Sequence, residues 1–210
     1  MKALIIILLL FAIGPAALAQ KKTVAQIKAE LEKATNSPLY VKDVLKKKFV
    51  IDTIVVRSTK RFVGLPDSLA YYGKVGKVYG PFHNSKTLVQ ILAKAPAMFN
   101  HPGQIFLDTA VFSRHFADSL SDNIILRIKQ GKTSFEDMAR TYSMGGEGAT
   151  SGDLGWIAIG YMLPQIEKEL DKRKKGDIFK IWTANGVHII RKLDDAKQDN
   201  GFALMMRVFL

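Results

Sequence analysis

Apolar positions recur at helical spacing in some stretches of the chain and in dense β-branched runs in others, and the two kinds alternate. Thr23-Val-Ala-Gln26 is a capping-box pattern, and Val24, Ile27, Leu31 and Ala34 follow at helical spacing, so a short amphipathic helix is predicted. Asn36-Ser37-Pro38 stops it. Residues 49–56, Phe-Val-Ile-Asp-Thr-Ile-Val-Val, read as a buried strand. Pro66-Asp-Ser-Leu-Ala-Tyr-Tyr72 is a helical turn. Gly76-Lys-Val-Tyr-Gly-Pro-Phe82 is a turn with a short extended piece, placed at an edge because Pro81 cannot donate to a ladder. Another strand spans 87–92. Residues 95–103, punctuated by Pro96, Pro102 and Gly103, are the best linker.

The second half begins with a strand at 105–112, whose Leu107-Asp108-Thr109 echoes Ile51-Asp52-Thr53. Phe116, Leu120, Ile124 and Ile128 define a helix running to about Gln130, and Gly131 ends it. Ser134-Phe-Glu-Asp137 restarts a helix with Phe135, Met138, Ala139 and Tyr142 on one face. A glycine-rich loop covers 145–152. A third helix, 163–173, carries Leu163, Ile166 and Leu170 on one side. Strands at 178–182 and 187–193 are joined by the turn signal Asn185-Gly186. A charged linker, 194–200, leads to a last strand at 202–210. At a fixed offset, Gly76-Lys-Val-Tyr, Phe82 and Leu88-Val89 match Gly176-Asp-Ile-Phe, Trp182 and His188-Ile189. The expected organisation is a helical segment at 20–48, a shortened unit at 49–97, a fuller unit at 104–193 and a strand at 201–210.

The start of the chain stands apart. Met1-Lys2 gives a positive end, residues 3–13 are apolar, Gly14-Pro15 breaks the run, and Ala17-Leu18-Ala19 is a small-x-small site. This is the anatomy of a signal peptide over residues 1–19, too short to span a membrane. An exported protein without stable membrane insertion is therefore expected. The chain has no cysteine, which excludes thiol nucleophiles, thiolate metal sites and disulfides. Its formal charge is +12 in 210 residues, which favours acidic partners or anionic surfaces. Nucleic acid is the other usual partner of a basic chain, and export argues against it.

Three enzyme chemistries fail. The loop from Gly146 to Gly152 follows a helix rather than a strand and lacks a third glycine, against dinucleotide binding. The four histidines (His83, His101, His115, His188) form no ligand pair, so no metal site is expected. No Gly-x-Ser-x-Gly elbow exists. What remains is residues 152–190, a shallow apolar pocket holding one histidine. His188 and Ile190 point to one face of the closing strand, Val187 and Ile189 to the other.

Phe135-x-x-Met138-Ala139-x-x-Tyr142-Ser143, Gly152-Asp153-Leu154-Gly155-Trp156, Met162, Lys175-Gly176-Asp177 and Gly186-Val187-His188-Ile189-Ile190 together resemble the parvulin (rotamase, PpiC-type) family of peptidyl-prolyl isomerases. The resemblance covers about 104–193. It implies an α+β fold: a four-stranded antiparallel sheet wrapped by helices, preceded here by the shortened β-rich unit. It implies isomerisation of X-Pro bonds in unfolded or proline-containing polypeptides, with no cofactor. Leu154, Met162 and Ile166 take the proline-gripping wall, and His188 the family's second-histidine position, with Thr183 and Asn185 near enough to orient it. The chain departs from the family twice. Residues 105–112 hold no histidine, and Asp108 is taken as its replacement, with Leu107 or Thr109 reached by a small shift. Ser143 is followed by Met144 and Gly145 where a cysteine or aspartate is usual. Both changes remove polar groups and spare the apolar wall, so peptide binding is expected to survive better than turnover. Two other readings compete with the exported isomerase: a non-catalytic holdase chaperone for unfolded envelope or secreted chains, and a structural subunit donating residues 202–210 as an edge strand.

Overall fold

The computed structural model describes residues 22–59, 62, 64–84 and 86–210; the expected leader at 1–19 lies outside them. Two strands dominate. β3 (Thr87–Asp108) and β6 (Gly186–Phe209) run antiparallel along almost their whole length, from Thr87 opposite Phe209 to Asp108 opposite Gly186. Each has two neighbours on its outer side. β2 (Val78–Phe82) and β4 (Ile157–Ala158) lie on β3, whereas β1 (Phe49–Val55) and β5 (Ile178–Trp182) lie on β6. One end of the sheet therefore reads β1-β6-β3-β2 and the other β4-β3-β6-β5.

This arrangement corrects both expected linkers. Residues 95–103 lie inside β3 and 194–200 inside β6, and they pair with each other, as in Ala97 with Asp199 and Phe99 with Lys197. Register shifts fall at Ala95/Pro96 and at His101/Pro102. A bulge accommodates a residue that has no N–H to give, so the prolines interrupt the ladder locally without ending the strand. Residues 202–209 are likewise held on both sides, Phe202 facing Val55 and Ala95, so they offer no free edge for donation. The two segments matched in the sequence both form hairpins. Their registers differ by one residue: Tyr79 pairs with Val89, but Phe179 pairs with Ile190.

The sheet is covered on both faces, as strand alternation requires. On one face Ile105, Leu107, Val187 and Ile189 pack against α4 (Arg114–Lys129) and α5 (Phe135–Tyr142) through Ala117, Ile124, Phe135, Met138 and Ala139. Ile190 and Phe179 pack against Ile166 and Leu170 of α6 (Pro164–Leu170). At the other end of the sheet, Leu88, Met206 and Val208 receive Ile27 and Leu31 of α1 (Val24–Lys33). There Ile91, Phe99, Ala203 and Met205 also meet Ala70 of α3 (Leu65–Tyr72), while α2 (Ser37–Tyr40) leads into a π turn ending at Leu45. The caps follow the sequence: Thr23 and Gln26 form the reciprocal box, and Ser134 Oγ accepts the Asp137 amide at 2.9 Å. The third helix is shorter than expected, opening on Pro164 and closing at Leu170.

β1 is an edge strand rather than a buried one. Among the described residues only β6 pairs with it, and Val50 and Ile51 are each 40% exposed. Its β-branched composition suits a sheet of any depth, so composition alone cannot assign burial. Asp52 sits mid-strand and accepts two bonds from Arg207, at 2.9 and 2.6 Å. A charge in that position discourages further pairing along the edge.

Candidate active site

The loop before α6 is stitched onto β3 by backbone bonds. Gly152 O accepts the Gln104 amide at 2.8 Å, and the Leu154 amide donates to Pro102 O at 3.2 Å. Gly152 has φ +85°, and a Cβ there would lie 2.8 Å from Ala139 Cβ and 2.9 Å from Phe135 Cε1. Only glycine lets the loop lie this close to α5. Asp153 Oδ1 then accepts the Gly155 amide at 2.7 Å, which turns the chain. Leu154 is thereby aimed over the sheet. Farther on, Glu167 Oε1 accepts the amides of Gly160 and Met162 at 2.8 and 3.1 Å and ties that segment to the first turn of α6.

These segments enclose an open cavity of about 460 Å³. Its apolar lining comes from Leu154, Ile157, Met162, Leu163 and Ile166, and its polar lining includes Gln104, Glu147 and His188. Arg57 and Ser58 also line it, arriving from the segment after β1; the Arg57 guanidinium sits 5.3 Å from the centre of the Tyr161 ring.

His188 is 8% exposed, with its ring 4.6 Å from that of Phe106. Its Nδ1 lies 3.0 Å from Gln104 Oε1 and its Nε2 3.1 Å from Thr183 Oγ1. Gln104 Nε2 donates to Glu147 Oε1 at 3.2 Å, Ser143 Oγ donates to the same oxygen at 2.7 Å, and the Phe106 amide donates to Ser143 Oγ at 2.9 Å. Burial pushes the pKa of His188 below the usual imidazole value, and the nearby Glu147 charge opposes that shift. The histidine is therefore a neutral group in a largely apolar wall at pH 7.

The site residues expected from the sequence divide into two groups. His188, Leu154, Met162 and Ile166 line this cavity, and Thr183 touches His188 directly. Asn185 lies outside the cavity; its amide donates to Thr183 Oγ1 at 3.2 Å, so it acts on the hydroxyl rather than on the cavity. Asp108 does not reach His188. It sits at the last pair of β3, opposite Gly186, and its carboxylate accepts the Ala110 amide at 2.7 Å beside a separate hollow shared with Asn185. The strand residue that reaches the histidine is Gln104. Residues 104, 106 and 108 share a face of the pleat, so parity alone could not choose among them. The register decides, by setting Phe106 opposite His188 and leaving Gln104 one diagonal step away. Glu147 also escaped notice. It stands in the glycine-rich loop, yet it is 3% exposed and its carboxylate turns inward to the histidine side.

A family model described as the PPIC-type PPIASE (rotamase) domain matches residues 108–194. The chain carries a PpiC-type rotamase domain. Among curated proteins it is similar to the Chaperone SurA of Bordetella avium, 33% identical over 101 residues, covering 47% of this chain and 20% of that one. Similarity to the Chaperone SurA of Chromobacterium violaceum is 34% over 109 residues, covering 50% and 25%. The chain thus spans a fifth to a quarter of the length of these relatives. Among solved structures, a PpiC-type peptidyl-prolyl cis-trans isomerase domain aligns at 24% identity and a TM-score of 0.45, covering 50% of this chain and 94% of that one. Glu147, Leu154, Met162, Ile166, Thr183 and His188 lie within the matched rotamase domain, whereas Gln104, Arg57 and Ser58 precede it.

Proposed function

We propose that this chain is a peptidyl-prolyl cis-trans isomerase acting on X-Pro bonds of exported polypeptides. The observation that carries the reading is the cavity of about 460 Å³, apolar on the side of Leu154, Met162 and Ile166 and bounded by His188, whose neutral form burial favours. Rotation about the peptide bond faces about 18–20 kcal/mol, and an X-Pro bond exchanges in tens to hundreds of seconds unaided. No bond is made or broken, so no nucleophile, metal or cofactor is needed. The planar, charge-separated amide is the form that water favours. An apolar wall around the pyrrolidine ring removes that solvent and so favours the twisted, less charge-separated form. In this scheme Leu154, Met162 and Ile166 grip the ring, His188 bounds the carbonyl side, and Thr183 and Asn185 orient His188. Asp108, remote from the cavity, has no part in it.

The test is a protease-coupled proline-peptide assay on the mature chain beside His188→Ala and Met162→Ala. Acceleration by the wild type and its loss in both variants are expected. No acceleration above the uncatalysed rate at micromolar protein would refute the isomerase reading. Export rests on the pattern of residues 1–19, and the mass of the protein recovered outside the cytoplasm tests it: cleavage after Ala19 is expected.

A second reading has its own support. Ile51, Phe202 and Leu204 are 37–40% exposed on one face of β1 and β6, away from the cavity, and the named relatives are chaperones. Binding of unfolded chains there would suppress aggregation of a denatured client even in the His188→Ala protein. Wild type and variant both failing to suppress it would remove this reading.

A further inference from the structure

We infer that Glu147 is a positioning residue that acts through Gln104 to hold His188 in its Nδ1–H form. The inference rests on the isomerase reading for its consequence but not for its geometry. The Glu147 carboxylate can only accept. Ser143 Oγ already takes the Phe106 amide proton in a bond, so its own proton goes to Glu147 Oε1, 2.7 Å away. The other group on that oxygen is the Gln104 side chain at 3.2 Å, which must turn its NH₂ end toward the carboxylate. Its carbonyl end then faces His188 Nδ1 at 3.0 Å, and a carbonyl requires a proton there. With Nδ1 protonated and the ring neutral, Nε2 carries the lone pair and faces the Thr183 hydroxyl at 3.1 Å, whose other acceptor is Gly186 O at 3.3 Å. The reverse orientation of Gln104 would set its carbonyl oxygen against the carboxylate with no proton between them. From Glu147 to His188 the bonds run in one direction only, and they are anchored at Glu147, which is 3% exposed.

Gln104 reaches His188 from one diagonal step along β3, and Glu147 approaches from the loop four residues after Ser143. The consequence is that the neutral ring, the form burial favours, is held in one tautomer beside Phe106, the two rings tilted by 32°. An imidazolium at this point would stabilise the charge-separated, planar form of a bound X-Pro amide and oppose rotation. The neutral ring does not.

The experiment uses the full mature chain labelled with ¹⁵N. The imidazole ¹⁵N shifts and the two-bond couplings to ring protons report which nitrogen carries the proton, and His188→Gln assigns the signals among the four histidines. Wild type should show His188 protonated on Nδ1 and bare on Nε2. In Glu147→Ala, Gln104 is free to turn, and the Nε2–H form should grow. kcat should fall about tenfold with KM within about twofold, as for loss of one well-directed hydrogen bond. Glu147→Gln keeps an oxygen for both donors and should restore the tautomer and most of kcat. If Glu147→Ala does not fold, Gln104→Leu removes the acceptor at Nδ1 and must shift the tautomer in the same way. An Nε2–H wild type, or an unchanged tautomer in a folded variant lacking Glu147 or Gln104, would overturn the inference. A wild type that shows the tautomer yet no isomerase activity would instead remove the proposed function and leave the positioning role standing.

Discussion

Two glycines at positive φ allow backbone strain to be separated from close packing. Gly176 (φ +92°) precedes β5 and Gly186 (φ +153°) opens β6. A Cβ built on Gly176 meets nothing within 4 Å, whereas one on Gly186 would lie 2.1 Å from Leu107 O and 3.0 Å from Phe106 Cε2. Gly176→Ala therefore bears conformational strain alone, about 1–2 kcal/mol. Gly186→Ala bears that strain and also a clash with backbone, which cannot turn aside as a side chain can. Overpacking of this kind adds about 1–3 kcal/mol, for about 2–5 kcal/mol in all. Relief requires opening the pair of Asp108 and Gly186, which would draw Phe106 away from His188. A chain of this size loses about 2–4 °C of Tm per kcal/mol, so losses of about 2–8 °C for Gly176→Ala and about 4–20 °C for Gly186→Ala are expected, the second the larger. Thermal and urea unfolding of the two variants, measured side by side, test this. Equal losses, or a smaller loss for Gly186→Ala, would refute the argument that contact with β3 is what demands glycine at 186.

Ile166 is 2% exposed and packs on Leu170, Phe179 and Ile190 while lining the cavity; Ile166→Ala should cost about 2–5 kcal/mol in urea unfolding and raise the KM of the proline peptide. An unchanged midpoint would mean that the cavity side of α6 is not packed as described. Lys192, 7% exposed, donates to Leu170 O at 3.1 Å and Arg173 O at 2.8 Å, closing the end of α6. Lys192→Met keeps the stem but strips both carbonyls, with an expected loss of about 1–3 kcal/mol in the same assay; wild-type stability would count against the cap. His188 supplies a pH signature. Its folded pKa is lowered by burial, so the unfolded chain takes up a proton first as pH falls. The contribution is fully present above the ordinary imidazole range, near about 6.5, and is lost as pH falls from there through the folded value. The urea midpoint between pH 8 and 5 should drop less for His188→Gln than for wild type; an equal drop would show that His188 does not titrate as described.

Much of the chain was legible from local pattern. The capping box at Thr23, the helix ended by Gly131, the Ser134 cap and the Asn185-Gly186 hairpin all follow from residue chemistry within a few positions, and each is found. So was the apolar wall, because Leu154, Met162 and Ile166 stand in a motif dense enough to name. The failures have one origin. Pro96, Pro102 and the charges at 194–200 look like interruptions when read alone, and become strand once each segment finds its partner in the other. Composition could not tell the exposed β1 from a buried strand, because both faces and both edges of a sheet accept β-branched residues.

The sequence by itself determined which residue types are available to the site: one histidine on an apolar strand, an aliphatic wall, no thiol, and a helix-loop-helix-hairpin order that fits a rotamase domain. Only the tertiary structure decided who meets whom. Strand periodicity sets the face a side chain takes but leaves its neighbour across the ladder open, and a two-residue step moves a carboxylate or an amide about 7 Å along the strand. The pairing of β3 with β6 brought Gln104 to His188 and left Asp108 at the hairpin end. The close approach of the loop at Gly152 to α5 and β3, set by the absence of a side chain there, accompanies the inward turn of Glu147 to the same network.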